Sequence, residues 1–256
     1  LEKFPQMDID GKDIKPTTFD ISFDNVEFSY SGKKILDDIS VKIPQNQMTA
    51  IVGPSGAGKT TFCNLIARFW DVEKGEISIG KHNIKEYSLE SLMRQISMVF
   101  QNVYLFQDTI ENNIKFAKPD ATHDEVIEAA KKACCHEFIM KLPEQYETVI
   151  GEGGASLSGG ERQRISIARA MIKNAPIIIF DEATANVDPE NEDKLQVAME
   201  ELTRNKTVIM IAHRLKTIKN ANQILVLANG KINQKGTHEE LIQAEGIYKN
   251  FVEARQ

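Results

Sequence analysis

The run Gly53-Pro-Ser-Gly-Ala-Gly-Lys-Thr60 has the residue types and spacing needed to hold the phosphates of a nucleoside triphosphate. Gly53, Gly56 and Gly58 let the backbone turn closely, so that loop N–H groups point inward at phosphate oxygens, with Pro54, Ser55 and Ala57 completing the loop. A helix beginning there adds its positive end. Lys59 can reach the β- and γ-phosphates, the Thr60 hydroxyl can ligate Mg²⁺, and Thr61 can reach the α-phosphate. A second glycine-rich helix start, Leu157-Ser-Gly-Gly-Glu161, follows roughly a hundred residues later. It offers a second grip on phosphate through Ser158, Gly159, Gly160 and Glu161. One chain cannot easily bring both grips onto one nucleotide, which hints at two chains sharing it. Ser158 and Glu161 also have the spacing of a capping box, which explains the segment without any ligand.

Between that second helix start and the C-terminus stands Ile177-Ile-Ile-Phe-Asp181-Glu182. A short apolar strand buried in a parallel sheet delivers Asp181 to the strand's C-terminal edge, where phosphate-loop folds bind nucleotide. There it can hold Mg²⁺ through water. Glu182 points elsewhere and can polarise an attacking water as general base; a solvated charge is the plain alternative.

The elements that must position these groups can be read from periodicity. Ile21, Phe23, Val26, Phe28 and Tyr30 alternate as a strand with an irregularity near Asn25, and Ile39, Val41 and Ile43 form a second. Met48 to Val52 is a short strand running into the glycine loop. Phe62, Leu65, Ile66 and Phe69 recur at helical spacing after it. Gly75 to Gly80 is another small strand. Residues 87 to 172 read as mainly helical: Ser88 caps Leu89 to Arg94, Thr122 with Glu125 precedes Val126, Ala130, Ala133 and Cys134, and Ser158 opens the helix through Ile172. Strands return at Ile177 to Phe180 and Val208 to Ala212, with a helix at Lys194 to Leu202 between them. Asn229-Gly230 joins a closing hairpin. Alternating strands and helices argue for an α/β core with a helical insertion at about 87–170.

Composition narrows the classes. The 256 residues, 41% apolar and 27% charged, are those of an ordinary globular protein large enough for a substantial core. A net charge of −6 argues against nucleic acid as a partner. The longest apolar runs, Ala175 to Phe180 and Val208 to Ala212, fall far short of the ~20 residues of a membrane helix. Cys63, Cys134 and Cys135 lack metal or redox spacing and read as reduced thiols. Residues 1–20, broken by Pro5, Gly11 and Pro16, read as an extended linker, and the start at Leu1 suggests a cut from something longer.

In their order, the phosphate loop, Gln101, Leu-Ser-Gly-Gly-Glu, Asp-Glu and His213 resemble the nucleotide-binding domain of ABC transporters over about residues 20 to 256. Phe28-Ser-Tyr30, Arg68-Phe-Trp-Asp71, Thr109-Ile-Glu-Asn-Asn-Ile114 and Gly151-Glu-Gly-Gly154 resemble the exporter-type branch, in which membrane and ATPase domains share one polypeptide. The resemblance implies a P-loop NTPase (RecA-like) core with an antiparallel β subdomain and an inserted α-helical subdomain. It makes 1–20 the joint from a transmembrane domain and 21–256 the nucleotide-binding domain, on the cytoplasmic face of the cell membrane.

The resemblance also implies roles for single residues. Tyr30 would stack on adenine, although an aromatic at a strand end is also plain core. Gln101 would contact Mg²⁺ and the attacking water, the alternative being a polar turn residue. His213 would hydrogen-bond the γ-phosphate, where a lone strand-end histidine is otherwise a satisfied polar group; His82, His123, His136 and His238 keep that plain reading. Ser158 to Glu161 would face the γ-phosphate bound by a second nucleotide-binding domain, with Asp188 across that interface. ATP and Mg²⁺ are the implied ligands, and a surface near Thr109 to Ile114 and Gly151 to Gly154 would pass movement to membrane helices. Glu161 stands where many members have Gln, Ala185-Asn186 replaces a usual Ser-Ala, and Gly153 replaces a frequent Arg. None of these removes a catalytic group. An importer ATPase subunit and a soluble, non-transport ABC ATPase are the competing readings. The chain has no sustained heptads of the kind that interrupt repair ATPases, which disfavours the second.

Overall fold

A computed structural model describes residues 7–100, 102–154, 156–181, 189–212 and 214–254. In chain order its elements are β1 (Ile21–Tyr30), β2 (Lys33–Ile43), β3 (Met48–Val52), α1 (Lys59–Ile66), β4 (Lys74–Ile79), β5 (His82–Asn83), α2 (Leu89–Gln95), β6 (Ile96–Phe100), α3 (Ile110–Lys115), α4 (His123–Lys132), α5 (His136–Ile139), α6 (Gly159–Lys173), β7 (Ile177–Asp181), α7 (Pro189–Thr203), β8 (Thr207–Ile211), α8 (Leu215–Lys219), β9 (Gln223–Ala228), β10 (Lys231–Gly236), α9 (His238–Gln243) and α10 (Ile247–Glu253). They fall into two compact units, Leu1–Ile96 with Thr207–Gln256, and Ser97–Lys206.

The first unit contains an antiparallel sheet in the order β2-β1-β4-β5. The irregularity expected near Asn25 is a bulge: the register with β2 shifts between Phe23 and Val26, and Asn25 takes φ 47°. Ser40 Oγ accepts from the Asn25 amide at 2.9 Å and donates to its Oδ1 at 2.8 Å. The extra residue keeps Phe23, Val26 and Phe28 all on the buried face. In the same unit β3 lies between β8 and β9, parallel to both, and β10 closes on β9 as the Asn229-Gly230 hairpin. Strands β3, β8 and β9 are buried almost throughout, as a parallel sheet covered on both faces requires. Helix α1 bridges the two layers. Its Phe62 stacks on Phe23 of β1, ring centroids 4.2 Å apart, while the helix also lies against β8.

Three features of this unit depart from expectation. Helix α1 stops at Ile66, because Arg68 turns left-handed at φ 52°, and Phe69 is consequently exposed rather than part of the helical stripe. The segment before β1 is extended but docked: Ile14 is buried, and Lys12 bonds on both sides, its N–H to Glu86 O and its carbonyl to Ser88 N–H, each at 2.8 Å. Two short helices, α9 and α10, follow the hairpin. Their signal, the Thr237–Glu240 capping box, was present but attached to a weak apolar pattern.

In the second unit α3 and α4 lie against α6, and α7 lies against α4 and α6. Strands β6 and β7 are neighbours. The capping boxes at Thr122–Glu125 and Ser158–Glu161 both form as the spacing requires. The supposedly helical stretch contains β6, too short and weakly alternating to register as a strand, and the unit runs past residue 170 to include β7 and α7. Cys134 lies beyond the end of α4 at Lys132, itself left-handed at φ 54°. The plain reading of three histidines holds: His123 pairs with Glu111, His136 with the Tyr146 hydroxyl, and, in the first unit, His238 with the Tyr248 hydroxyl.

The α1 contact tests how far the glycine loop's foundation carries the unit. Phe62→Ala removes a fully buried ring and should cost about 3–5 kcal/mol, read as a lowered denaturant midpoint with an unchanged slope. A shift of only a few tenths would contradict the packing described.

Candidate functional site

Strand β3 runs buried to Val52 and the chain then turns sharply at Gly53, whose φ is 150°. A Cβ there would sit 2.0 Å from Leu227 O of β9, so only glycine lets the loop leave so close to the neighbouring strand. At the far end Gly58, φ 97°, is the N-cap of α1, and a Cβ on it would meet Leu36 Cδ2 at 2.8 Å. Between them Pro54, Ser55 and Gly56 are exposed and Ala57 is buried.

A glycine cap carries no side-chain acceptor, and the first turn of α1 holds no acidic residue. Its amides therefore face the loop with neither a capping oxygen nor a carboxylate from their own turn, which is the electrostatic condition for taking an anion. Lys59, only 8% exposed, folds back so that Nζ donates to Gly53 O at 3.0 Å and Pro54 O at 2.9 Å. The ammonium thus braces the loop it belongs to and holds a positive charge at its centre. Thr60 is exposed at the helix start and Thr61 is buried behind it. Glycine turns, a helix start without a side-chain cap and an inward cation together suit a polyphosphate.

Tyr30 ends β1, half-buried. Phe28 meets it at 4.8 Å and 89°, and Trp70 at 5.4 Å and 82°. Both contacts are edge-to-face, a preferred geometry for aromatic pairs. Trp70 belongs to this aromatic group, which the sequence did not reveal because strand and turn lie 40 residues apart in the numbering.

In the second unit, Ser158 Oγ accepts from Glu161 N at 3.3 Å while Glu161 Oε2 accepts from Ser158 N at 2.8 Å. The box stabilises the start of α6. It leaves the amides of Gly159 and Gly160 out of the reciprocal pair, and Ser158 and Gly159 are exposed. Three residues that sequence reasoning missed hold the surroundings. Arg162 donates to Leu157 O at 2.6 Å and Gly154 O at 3.3 Å, tying the Gly151–Gly154 segment to α6. Buried Asn113 bonds both the amide and the carbonyl of Phe106, and Arg169 donates to Asn113 O at 2.9 Å. These bonds fix the loop from which Tyr104 and Phe106 are exposed, with Phe116, the C-cap of α3, exposed as well. Asp181 stands half-buried at the end of β7 after four buried apolar residues, as expected. Gln101, Glu182, Asp188 and His213 lie outside the described residues. Gln101 and Glu182 directly follow the last residues of β6 and β7, and His213 comes two residues after β8.

Comparison with known proteins agrees with this chemistry. The ABC transporter family model matches residues 36–185. The chain is 46% identical over 254 residues to the ATP-dependent lipid A-core flippase of Haemophilus influenzae (strain ATCC 51907 / DSM 11121 / KW20 / Rd), covering 98% of this chain and 43% of that protein. It is 44% identical over 251 residues to the flippase of the same description in Escherichia coli (strain K12), covering 97% and 43%. Among solved structures, a bacterial Atm1-family ABC exporter with ATP bound superimposes with a TM-score of 0.89 at 40% identity, over 94% of this chain and 42% of that one. The chain therefore spans about two fifths of the length of these relatives. Among the described residues no helix is long and apolar enough to cross a membrane. The chain belongs to the ABC transporter family and carries its ATP-binding, ATPase domain, with the P-loop NTPase fold and of the exporter type.

Proposed function

We propose that this domain is the ATP-hydrolysing motor of a membrane exporter, that two copies close head to tail around two ATP molecules, and that closure drives movement in transmembrane domains of the same polypeptide. The observation that carries this reading is the pairing of two different helix starts. One, at α1, is uncapped and preceded by a phosphate loop; the other, at α6, is capped yet exposed at Ser158 and Gly159. The first suits a triphosphate held by its own chain. The second suits a γ-phosphate presented by another chain, either an identical or a different nucleotide-binding domain, and Asp188 would lie across that boundary.

Within each site Tyr30 would stack on adenine, the loop Gly53 to Thr61 would hold the phosphates, and Lys59 would neutralise charge building on the β- and γ-oxygens. Glu182 would take the proton of the water attacking the γ-phosphorus, with Gln101 and His213 orienting water and γ-phosphate as ADP leaves. Mg²⁺ would rest largely on phosphate oxygens, as this ion commonly does in nucleotide sites. Thr60, Gln101 and, through water, Asp181 would complete its shell, and the ion would supply charge neutralisation.

The exposed Tyr104, Phe106 and Phe116, fixed by Asn113 and Arg169 beside Thr109–Ile114, offer an apolar surface for a membrane domain. The segment Gly151–Gly154, tied to α6 by Arg162, would move with it. In this reading the domain would sit at the cytoplasmic face of the membrane. The names of the flippase relatives make a lipid the first transported substance to test, by its effect on ATP turnover.

Two variants test the reading. Glu182→Gln should leave ATP binding intact, lower kcat by about 10²-fold or more, and accumulate an ATP-bound dimer on sizing columns; normal turnover would remove Glu182 as the base. Ser158→Arg should spare ATP binding to each chain but abolish ATP-dependent closure and with it hydrolysis. Unchanged ATPase activity in that variant would end the shared-site reading.

A further inference from the structure

Arg68 is 3% exposed, left-handed at φ 52°, and placed two residues beyond the end of the phosphate-loop helix α1. A buried guanidinium needs partners for all its nitrogens, and these identify what it joins. Nε and Nη2 donate to the Asp71 carboxylate at 2.8 and 3.4 Å, Nη1 to Tyr87 O at 3.4 Å, and Nη2 to Asp8 O at 2.8 Å. The last bond reaches 60 residues back, into the segment that precedes β1.

That segment is seated along its length. Leu89 N–H bonds Ile9 O at 3.3 Å, Lys12 bonds Glu86 and Ser88, and Ser91 Oγ both accepts from Ile14 N at 3.0 Å and donates to Ile14 O at 2.8 Å. Gly11 lies so close that a Cβ would stand 2.2 Å from the Tyr87 carbonyl carbon. The segment is therefore a strap with a defined dock, and Arg68 is the point where the dock meets the nucleotide machinery. On one side of Arg68, α1 is a rigid helix of eight residues, ~12 Å long, whose other end carries the phosphate loop. On the other, Trp70 stands against Tyr30.

We propose that Arg68 is a positioning residue that couples nucleotide in the phosphate loop to the docking of residues 8–14, so that ATP tightens the strap and a tight strap raises affinity for ATP. This rests on the reading of Tyr30 and the loop as an ATP site. Triphosphate gripping the first turn of α1 and a base stacking on Tyr30 bear on the two neighbours of Arg68. The guanidinium, with each nitrogen engaged, passes any shift to Asp8 rather than absorbing it. Binding linkage makes the effect reciprocal.

The test is hydrogen exchange of residues 8–14 in the full-length protein, with and without a non-hydrolysable ATP analogue, beside the analogue's measured affinity. Saturating analogue should slow exchange of the strap by about fivefold or more, the lower end of common couplings. Ser91→Ala, which touches no nucleotide group, should loosen the strap and weaken analogue affinity by the same factor. Arg68→Lys keeps the charge but loses the fork; the analogue should still bind, while its effect on strap exchange disappears. Analogue bound with strap exchange unchanged overturns the coupling and leaves the ATP site standing. So does Ser91→Ala releasing the strap at unaltered affinity. Should no analogue bind at all, the functional reading falls first and the coupling with it.

Discussion

The amides at the start of α1 have no capping side chain and no acidic neighbour in their own turn. The arrangement around them follows from that deficit. Strand β3, buried between β8 and β9, delivers the chain to a fixed point; Gly53 slips past Leu227 and Gly58 past Leu36, where any side chain would collide. Lys59 then adds a positive charge braced by the loop's own carbonyls. A helix start with this positive end and no carboxylate in its own turn suits phosphate. The Phe62–Phe23 stack keeps it aimed.

The contrast with α6 underlies the proposed assembly. There Ser158 and Glu161 satisfy one another, so the helix is stable without ligand. Its exposed first residues can nonetheless meet an anion brought by another chain. Glu161 keeps the cap as Gln would, but leaves a carboxylate beside that surface, where repulsion of a γ-phosphate would temper closure. A local cap and an intermolecular contact are thus compatible uses of the same five residues.

Much of this was legible because it depends on short-range pattern. Strands with clean alternation, the glycine loop, the three caps at Ser88, Thr122 and Ser158, and the bulge near Asn25 all declare themselves within about ten residues. What escaped depends on distant partners. Arg68 gave no sign that it would bury its charge and end α1, since Asp8 and Tyr87 lie far off in sequence. Gly11 looked like a breaker, whereas it is a close-contact residue in a docked strap. Strand β6 was lost among helices because its five residues alternate poorly. Asn113, Arg162 and Arg169 act by reaching backbone carbonyls, and no periodicity marks such residues.

The claim that two chains complete each ATP site is tested most directly by cross-linking. Ser55 in the phosphate loop and Ser158 at the start of α6 are both exposed, so cysteines placed there are reachable. One full-length chain carrying only Ser55→Cys is co-expressed with another carrying only Ser158→Cys, both in the Glu182→Gln background, and treated with a short bifunctional thiol reagent. The account predicts a product joining the two different chains, formed with ATP and absent both without it and from either chain alone. No such product in the mixture, with an ATP-dependent link instead forming inside one chain that carries both substitutions, would contradict it.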